Sequence, residues 1–265
     1  MERNLIEEST YNDIFYAGTW FEKLRLREFE ESNQNPVGLD YLKMSSELML
    51  SCQENTAQAI EQCDQSIKEN LCSIGTVLSL LDRVASCFWG CSRGDHTFEY
   101  LTGRVVSYSQ TILLLSKTGR YDEAISLIRA IAEIANLFTL FVNEPTSFND
   151  WRTFSEQKRR SEFSPVKVRK RLEFLNVTPP CDSERYSWLC EVAVHVTPHT
   201  KPQMYQSNAR PSVGAIFQED GFKKVINELS LALATISFAV IELARIEDSK
   251  RSEIAKHASV LLSFA

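Results

Sequence analysis

Glycine and proline are scarce in this sequence, at 9 and 8 of 265 residues. No alternation of apolar and polar residues, which would predict β-strands, is sustained anywhere along the chain. Apolar residues instead recur with the 3.6-residue period of amphipathic helices, and Gly, Pro and Asn fall between these periodic stretches. The sequence therefore predicts an all-α fold, an irregular helical bundle, and excludes a large sheet.

Motifs of the common enzyme and nucleotide-binding classes are also missing. The sequence has no Gly-x-Gly-x-x-Gly, no P-loop and no nucleophile elbow. It lacks the Glu-x-x-His pair that helical bundles use to hold two metal ions. Whether the protein is an enzyme stays open at this point.

Charge and cysteine usage limit the class of protein further. The net charge of -6 argues against a chain that binds polyanions with its whole surface. Seven cysteines, an odd number scattered through helical sequence, predict free thiols in a reducing compartment. The first residues, MERNLIEEST, lack the pattern of a signal peptide. The uncharged stretch from Leu229 to Ile241 is too short to span a bilayer. We expect a cytoplasmic protein with no membrane partner.

The breaks between periodic stretches divide the chain into segments. A peripheral N-terminal helix, from Tyr11 to Glu31, is expected within residues 1–39. Residues 40–265 are expected to form the main helical domain, with a polar, loop-rich insertion at about 145–215. Within that domain the periodicity predicts helices over 40–71, 73–90, 97–117, 121–142, 184–195, 219–246 and 250–264.

One thin polar stripe runs along the otherwise apolar helix at 121–142. At 100° per residue, Asp122, Ser126, Arg129, Glu133 and Asn136 fall within a narrow arc. Such a stripe either contacts solvent or lines a polar cleft. An exposed Arg129–Glu133 pair would contribute only about 0.3–0.5 kcal/mol. A buried pair would need further hydrogen bonds to offset its desolvation. Both interpretations remain open from the residues alone.

Histidines are concentrated at the end of the short helix predicted over 184–195. Glu191 and His195 are spaced i,i+4, and His199 follows just beyond the break at Pro198. A helix C-terminus and a nearby carboxylate both favour a protonated imidazole, which would allow a charge switch near neutral pH.

Two stretches of the sequence together resemble a known protein family. GRYDEAISLIRAIAEIANLF, followed some fifty residues later by YSWLCEVAVHVTP, resembles a bacterial all-helical family of unknown function. That family has a Gly-x-Tyr-x-Glu-Ala-x-x-Leu-x-Arg-x-x-x-Glu helix and a later short helix with an aromatic residue and a terminal His. The matching positions are Gly119, Tyr121, Glu123, Ala124, Leu127, Arg129, Glu133, Tyr186 and His195.

The resemblance implies a loose grouping with HEPN-like helical proteins, some of which are ribonuclease toxins or nucleotide-binding partners in phage defence. It covers roughly residues 100–200. HEPN ribonucleases place Arg and then His on one helix, with a spacer of four to six residues between them, and here that spacing occurs only at Arg251 and His257. By the resemblance, the catalytic candidates are His195, Arg129 and Glu133. Tyr121, Tyr186, Glu191 and His199 are expected to complete a cleft between helices 121–142 and 184–196.

A basic segment lies within the predicted insertion. Residues 151–171 contain eight basic side chains against two glutamates, with aromatic residues between them. This pattern suits phosphate binding, and the alternative is a solvated helix face. The candidate phosphate-binding side chains are Lys158, Arg159, Arg160, Lys167, Arg169, Lys170 and Arg171.

Metal ligation is weakly indicated. Cys87, Cys91 and His96 have the spacing Cys-x3-Cys-x4-His, but the sequence shows no fourth ligand nearby and no Cys-x-x-Cys pair. The alternative interpretation is that these cysteines are small, buried, apolar residues. We expect no metal and no cofactor.

These observations favour a binding or regulatory module of a bacterial defence or toxin-type system that acts on RNA or a nucleotide. One alternative is a metal-independent HEPN-like ribonuclease, with His195 as general acid/base and Arg129 as the phosphate clamp. A second is a structural module that binds a protein partner or forms a homo-oligomer.

Overall fold

The computed structural model describes residues 38–92, 94–193, 195–196 and 215–264. Of these residues, 80% are helical and none belongs to a strand, which confirms the predicted all-α class. The helix predicted from Tyr11 to Glu31, with nearly all of the N-terminal segment 1–39, lies outside the described residues.

The described ranges contain ten helices, which follow one another without sheet between them. In chain order they are α1 Leu39–Gln62, α2 Gln65–Ala85, α3 Thr97–Lys117, α4 Tyr121–Asn143, α5 Thr146–Thr153, α6 Glu156–Glu162, α7 Pro165–Phe174, α8 Ser183–Ala193, α9 Glu219–Leu243 and α10 Asp248–Leu262.

The predicted boundary between the first two helices of the main domain is wrong. The periodicity indicated one helix to residue 71 and another over 73–90, but the break lies at Cys63 and Asp64, whose backbones are extended. Asp64 occupies the N-cap position of α2, and its carbonyl accepts the N–H of Ile67. The second helix then runs through Gly75, since a single exposed glycine costs a helix only about 0.5–1 kcal/mol.

The insertion is more regular than its composition indicates. Residues 146–193 form four short helices, α5 to α8. Ser155 caps α6 by accepting the N–H of Lys158, and Asp182 Oδ1 accepts the N–H of Arg185 at the start of α8. Pro165 begins α7, where its missing N–H leaves no helical hydrogen bond unmade.

Helices α4 and α9 lie at the centre of the core. Helix α4 packs against α3 and α9, and α9 also contacts α2 and α10. Their facing side chains, such as Ile128, Phe138, Leu229 and Leu233, are fully buried. Helix α7 adds a smaller apolar cluster to the far side of α4. Helix α4 is therefore enclosed on most sides, as its thin polar stripe predicted.

Two described helices, α4 and α9, are long and apolar enough to cross a membrane by length and composition. About half of the apolar window of α4 and three-fifths of that of α9 are buried inside the protein, at 50% and 61%. Core helices of soluble proteins meet the same criterion, so this finding is weak support for a membrane span.

Two residues that match the family pattern, Tyr121 and Gly119, stabilise the fold. Tyr121 is fully buried, and its hydroxyl accepts the N–H of Gln218 at 2.9 Å. Gly119 has a φ of 70°, and a Cβ there would lie 2.5 Å from the carbonyl oxygen of Ile216. The expectation that Tyr121 lines a cleft is thus corrected, because its ring packs in the core against Gly221.

Candidate functional site

Helix α8 brings Tyr186 onto the polar stripe of α4. The Tyr186 hydroxyl accepts a hydrogen bond from Arg129 Nη1 at 3.2 Å and donates one to Glu133 Oε1 at 2.9 Å. Arg129 Nη2 lies 3.6 Å from Glu133 Oε1, and the two side chains are 27% and 31% exposed. The stripe is therefore neither fully solvated nor fully buried, and Arg129, Glu133 and Tyr186 form one connected cluster.

The position of Asn136 explains why α8 lies here. Asn136 is buried, and its side-chain amide makes two hydrogen bonds to the backbone of Cys181, at 2.7 and 2.8 Å. These bonds anchor the loop before α8 to α4. Arg185 in the first turn of α8 adds an ion pair with Glu228 of α9 at 2.8 Å. Between these anchors, Tyr186 is directed toward Arg129.

The electrostatics keep Tyr186 and Arg129 each in one protonation state. Burial, then the charge of Glu133 and its hydrogen bond, raise the pKa of Tyr186. Burial alone would lower the pKa of Arg129, but its bond to Cys190 and the charges of Glu133 and Tyr186 outweigh that effect and raise it. The hydroxyl of Tyr186 thus stays protonated and the guanidinium of Arg129 stays charged.

A second guanidinium lies on the same tyrosine. Arg169 of α7 is stacked over the Tyr186 ring, 4.3 Å from its centroid, and is only 6% exposed. It makes no hydrogen bond or ion pair with any residue that the structure describes, and its Nη1 is buried. The Nε of Arg129 is likewise buried without a described partner. Arg169 is thus a buried cation without an ion pair among the described residues, while the half-buried Arg129 is paired with Glu133.

A groove adjoins this cluster. It has a volume of about 330 Å³, at the small end for ligand pockets, and lies between α3, α4 and the basic segment. Glu133 and Ile134 form part of its floor. The guanidinium of Arg104 is exposed at its side, over the ring of Tyr108. We call this cavity the aromatic groove, after its lining residues Tyr108, Trp151 and Phe163.

The structure separates the predicted phosphate-binding side chains into three groups. Arg160 pairs with Glu156, and Arg171 pairs with Glu144. Arg159 donates hydrogen bonds to the backbone carbonyls of Trp151 and Phe154 at the end of α5, so it holds α5 to α6. Lys158, Lys167 and Lys170 are exposed and have no acidic partner among the described residues, while Arg169 is buried. Only the three lysines and Arg169 remain available to a phosphate.

The predicted histidine components do not join the cluster. His195 is exposed, and its backbone N–H donates to the carbonyl of Cys190. Within the described part of the chain, no hydrogen bond or ion pair connects His195 with Arg129 or Glu133. Glu191 is exposed as well, and His199 lies outside the described residues. The cleft expected between α4 and α8 is filled by Tyr186, and the open space lies instead on the α3 side of Glu133.

The Arg251–His257 spacing has a structural explanation. Arg251 donates to the carbonyls of Ile246 and Ala244, which follow the end of α9. Its guanidinium therefore holds the turn between α9 and α10.

Comparison with protein-family models, with curated proteins and with solved structures found no match to this chain. The resemblance to the HEPN-like helical family therefore stays a prediction.

Sequence reasoning missed Arg104 and the aromatic groove. Arg104 and Tyr108 are spaced i,i+4 on α3, which is a signal for a stacked pair. The remaining aromatic residues, Trp151 and Phe163, come from separate elements, and nothing in the sequence relates them to Tyr108.

Proposed function

We propose that the protein binds a phosphate-bearing ligand, a nucleotide or an RNA segment, at the aromatic groove and the adjoining Arg129–Arg169–Tyr186 cluster. The observation that carries this proposal is Arg169, a buried guanidinium that is stacked on Tyr186 and has no carboxylate partner among the described residues.

The energetic argument concerns what compensates that charge. Removing an unpaired guanidinium from water costs several kcal/mol. A desolvated cation–π contact returns about 2 kcal/mol. Glu133 is already engaged by Tyr186 and Arg129. An anionic group placed beside Arg169 and Arg129 would supply the missing partner, and guanidinium groups bind phosphate with paired hydrogen bonds.

The groove supplies the second half of the recognition. Aromatic side chains stack on nucleobases and contribute about 1–3 kcal/mol per base. Tyr108, Trp151 and Phe163 line a space in which one base fits, and Arg104 lies at its side. Lys158, Lys167 and Lys170 are exposed on the neighbouring helices, where they would contact further phosphates of a longer strand. This arrangement favours RNA or a nucleotide over a simple inorganic anion.

The test is fluorescence anisotropy with a labelled single-stranded RNA and with a fluorescent ATP analogue. Wild-type protein should bind at least one probe, and Arg129→Gln, Arg169→Gln and Arg104→Gln should each weaken binding about 10-fold or more. Arg83→Gln is the matched control, because Arg83 also lies over aromatic rings, Phe88 and Trp89, but outside the groove. Its affinity should equal that of the wild type.

The lysines separate RNA from a free nucleotide. Reversal of Lys158, Lys167 and Lys170 to Glu should abolish the salt-dependent part of RNA binding and leave nucleotide binding nearly unchanged. Because these side chains are exposed, the fold should survive, which circular dichroism would check. Absence of binding to both probes, or equal losses in Arg83→Gln, would reject the proposal.

Cleavage of the labelled RNA is the alternative outcome of the same binding experiment. A metal-independent ribonuclease would degrade the RNA in the presence of a chelator, and His195→Ala would abolish degradation while binding persists. The geometry gives this alternative less support, since His195 lies apart from the hydrogen-bonded cluster. A regulatory role in a bacterial defence or toxin-type system rests on the family resemblance, and binding without cleavage is what that role requires.

A protein-interaction role draws on a different surface. Leu39, Leu42 and Leu50 on α1 are exposed, at 83%, 60% and 59%. Side chains of this kind suit a contact with another protein or a second copy of the chain. Light scattering of the purified protein would measure the oligomeric state, and a monomer that binds neither RNA nor nucleotide would leave only a heterologous protein partner.

A further inference from the structure

The loop between α2 and α3 brings three potential metal ligands together. Cys87, Cys91 and His96 place one ligand atom each within 4.8 Å of the others. Cys87 Sγ lies 3.4 Å from His96 Nδ1, so that nitrogen is the one that faces the thiols. The sequence spacing alone did not predict a metal site, because the sequence shows no fourth ligand nearby and no Cys-x-x-Cys pair.

The backbone of this loop is unusual at two of the three positions. Cys87 and His96 have φ angles of 57° and 55°, in the left-handed region that non-glycine residues seldom adopt. Each such residue costs roughly 1–2 kcal/mol. Both conformations turn their side chains toward the same point, and strain of this kind is concentrated at functional sites.

A buried carboxylate holds the same loop. Glu99 is 1% exposed, and its Oε1 accepts the backbone N–H of Ser92 at 2.6 Å. Its Oε2 is buried and has no hydrogen-bond partner within the ranges that the structure describes. Glu99 therefore presents one buried carboxylate oxygen without a described partner, in the helical turn that begins at His96.

We propose that Cys87, Cys91 and His96 bind a zinc ion, with the buried Glu99 as a carboxylate beside the loop that holds them. In tetrahedral zinc coordination the sulfur and nitrogen ligands lie about 3.6 Å apart and two sulfurs about 3.8 Å apart, given the usual bond lengths. The distance of 3.4 Å between Cys87 Sγ and His96 Nδ1 is close to the first value, and all three ligand atoms lie within 4.8 Å of one another. Two thiolates and an imidazole favour zinc over the hard cations magnesium and calcium.

The location indicates what the ion would do. The residues described between Ser86 and His96, all but residue 93, belong to no helix, and this loop connects the end of α2 with the start of α3. Ser92 in this loop accepts the N–H of Arg245, just beyond the end of α9. A bound zinc ion would therefore fix the junction of three core helices, and Glu99 would either ligate it directly or bond to its water ligand.

The experiment is a titration of the full-length protein with cobalt(II), after chelator treatment and under reducing conditions. Tetrahedral cobalt bound to thiolates absorbs strongly in the visible range, so wild-type protein should show these bands, saturate at about one ion per chain and lose the bands when zinc is added. This readout needs no knowledge of activity. Absence of the bands, or a Cys87–Cys91 disulfide under the same conditions, would overturn the proposal.

Variants identify the ligands. Cys87→Ser, Cys91→Ser and His96→Gln should each lower metal affinity about 100-fold or more. Cys72→Ser is the matched control, because Cys72 is an exposed thiol on α2, and it should leave the titration unchanged. Retained cobalt bands in a Cys87→Ser/Cys91→Ser double variant would place the metal elsewhere.

Glu99→Gln tests the carboxylate separately. We expect affinity to fall about 10–100-fold. An unchanged affinity would remove Glu99 from the site. Because Glu99 also holds Ser92, circular dichroism and the melting temperature of the metal-free variant must accompany the titration. Zinc should raise the melting temperature of the wild type and of Cys72→Ser, but not that of Cys91→Ser.

Discussion

Identical side chains in this protein have different roles at the scale of single residues. Arg159, Arg169 and Arg171 lie within 13 positions of one another in the basic segment. One bonds backbone carbonyls, one stacks on Tyr186 in a buried position, and one pairs with Glu144. Charge counts along the sequence treat them as equivalent. Burial and partners decide that only Arg169 can serve a ligand.

Asn136 provides the sharpest prediction at this scale. Asn136→Ala leaves the N–H and the carbonyl of buried Cys181 without partners, and each unsatisfied group costs about 1–3 kcal/mol. We expect the free energy of unfolding to fall by about 2–4 kcal/mol in urea denaturation. Asn143→Ala is the control, since Asn143 is exposed and bonds only within its own helix. The free energy of unfolding of Asn143→Ala should fall by less than about 0.5 kcal/mol. An equal decrease in the two variants would contradict the role of Asn136.

At the scale of elements, the connection between α3 and α4 depends on one glycine. Gly119 has a left-handed backbone, and a Cβ would meet three backbone atoms of Ile216 at 2.5–2.9 Å. Backbone atoms cannot rotate away as a side chain can. The residues just before α9 can therefore lie against this turn only because residue 119 has no side chain.

Two glycine-to-alanine substitutions should have opposite effects. Gly119→Ala should lower the free energy of unfolding by about 2–4 kcal/mol, through the strained φ and the contact with Ile216. Gly75→Ala should raise it by about 0.5–1 kcal/mol, because Gly75 lies in the regular helix α2 and a Cβ there would meet nothing within 4 Å. Thermal or urea unfolding measures both. Destabilisation by Gly75→Ala, or a neutral Gly119→Ala, would contradict this account.

At the scale of the whole molecule, the two most apolar helices enclose each other. Helices α4 and α9 each meet the length and composition criterion for a membrane span, yet their apolar faces pack together and against α2, α3 and α10. The same apolar residues cannot cover a core and face lipid at the same time.

We therefore expect the overexpressed protein to stay in the supernatant after ultracentrifugation of a cell lysate. Material bound peripherally would be released by alkaline carbonate, while a protein with spanning helices would stay in the pellet. Leu233→Glu, in the buried face of α9, should cause unfolding or aggregation rather than membrane release. Carbonate-resistant wild-type protein with full helicity would contradict the packing of α4 on α9.

The sequence by itself determined the helical class, most helix positions and the thin polar stripe of α4, because these depend on local periodicity and on breakers close in the chain. The α1–α2 break was not predictable in this way, since a Cys-Asp pair carries a weaker local signal than glycine or proline.

Only the tertiary structure decided which polar groups meet. Tyr186 lies 53 residues from Glu133 in the chain, and Asn136 lies 45 from Cys181. The aromatic groove takes its residues from four helices, α3, α4, α5 and α7, and from Phe163 at the end of α6. The Cys87–Cys91–His96 group depends on left-handed backbones that composition does not reveal. The contacts of Tyr186 and Asn136 form because packing of α7 and α8 on α4 fixes distances between segments that no sequence period relates.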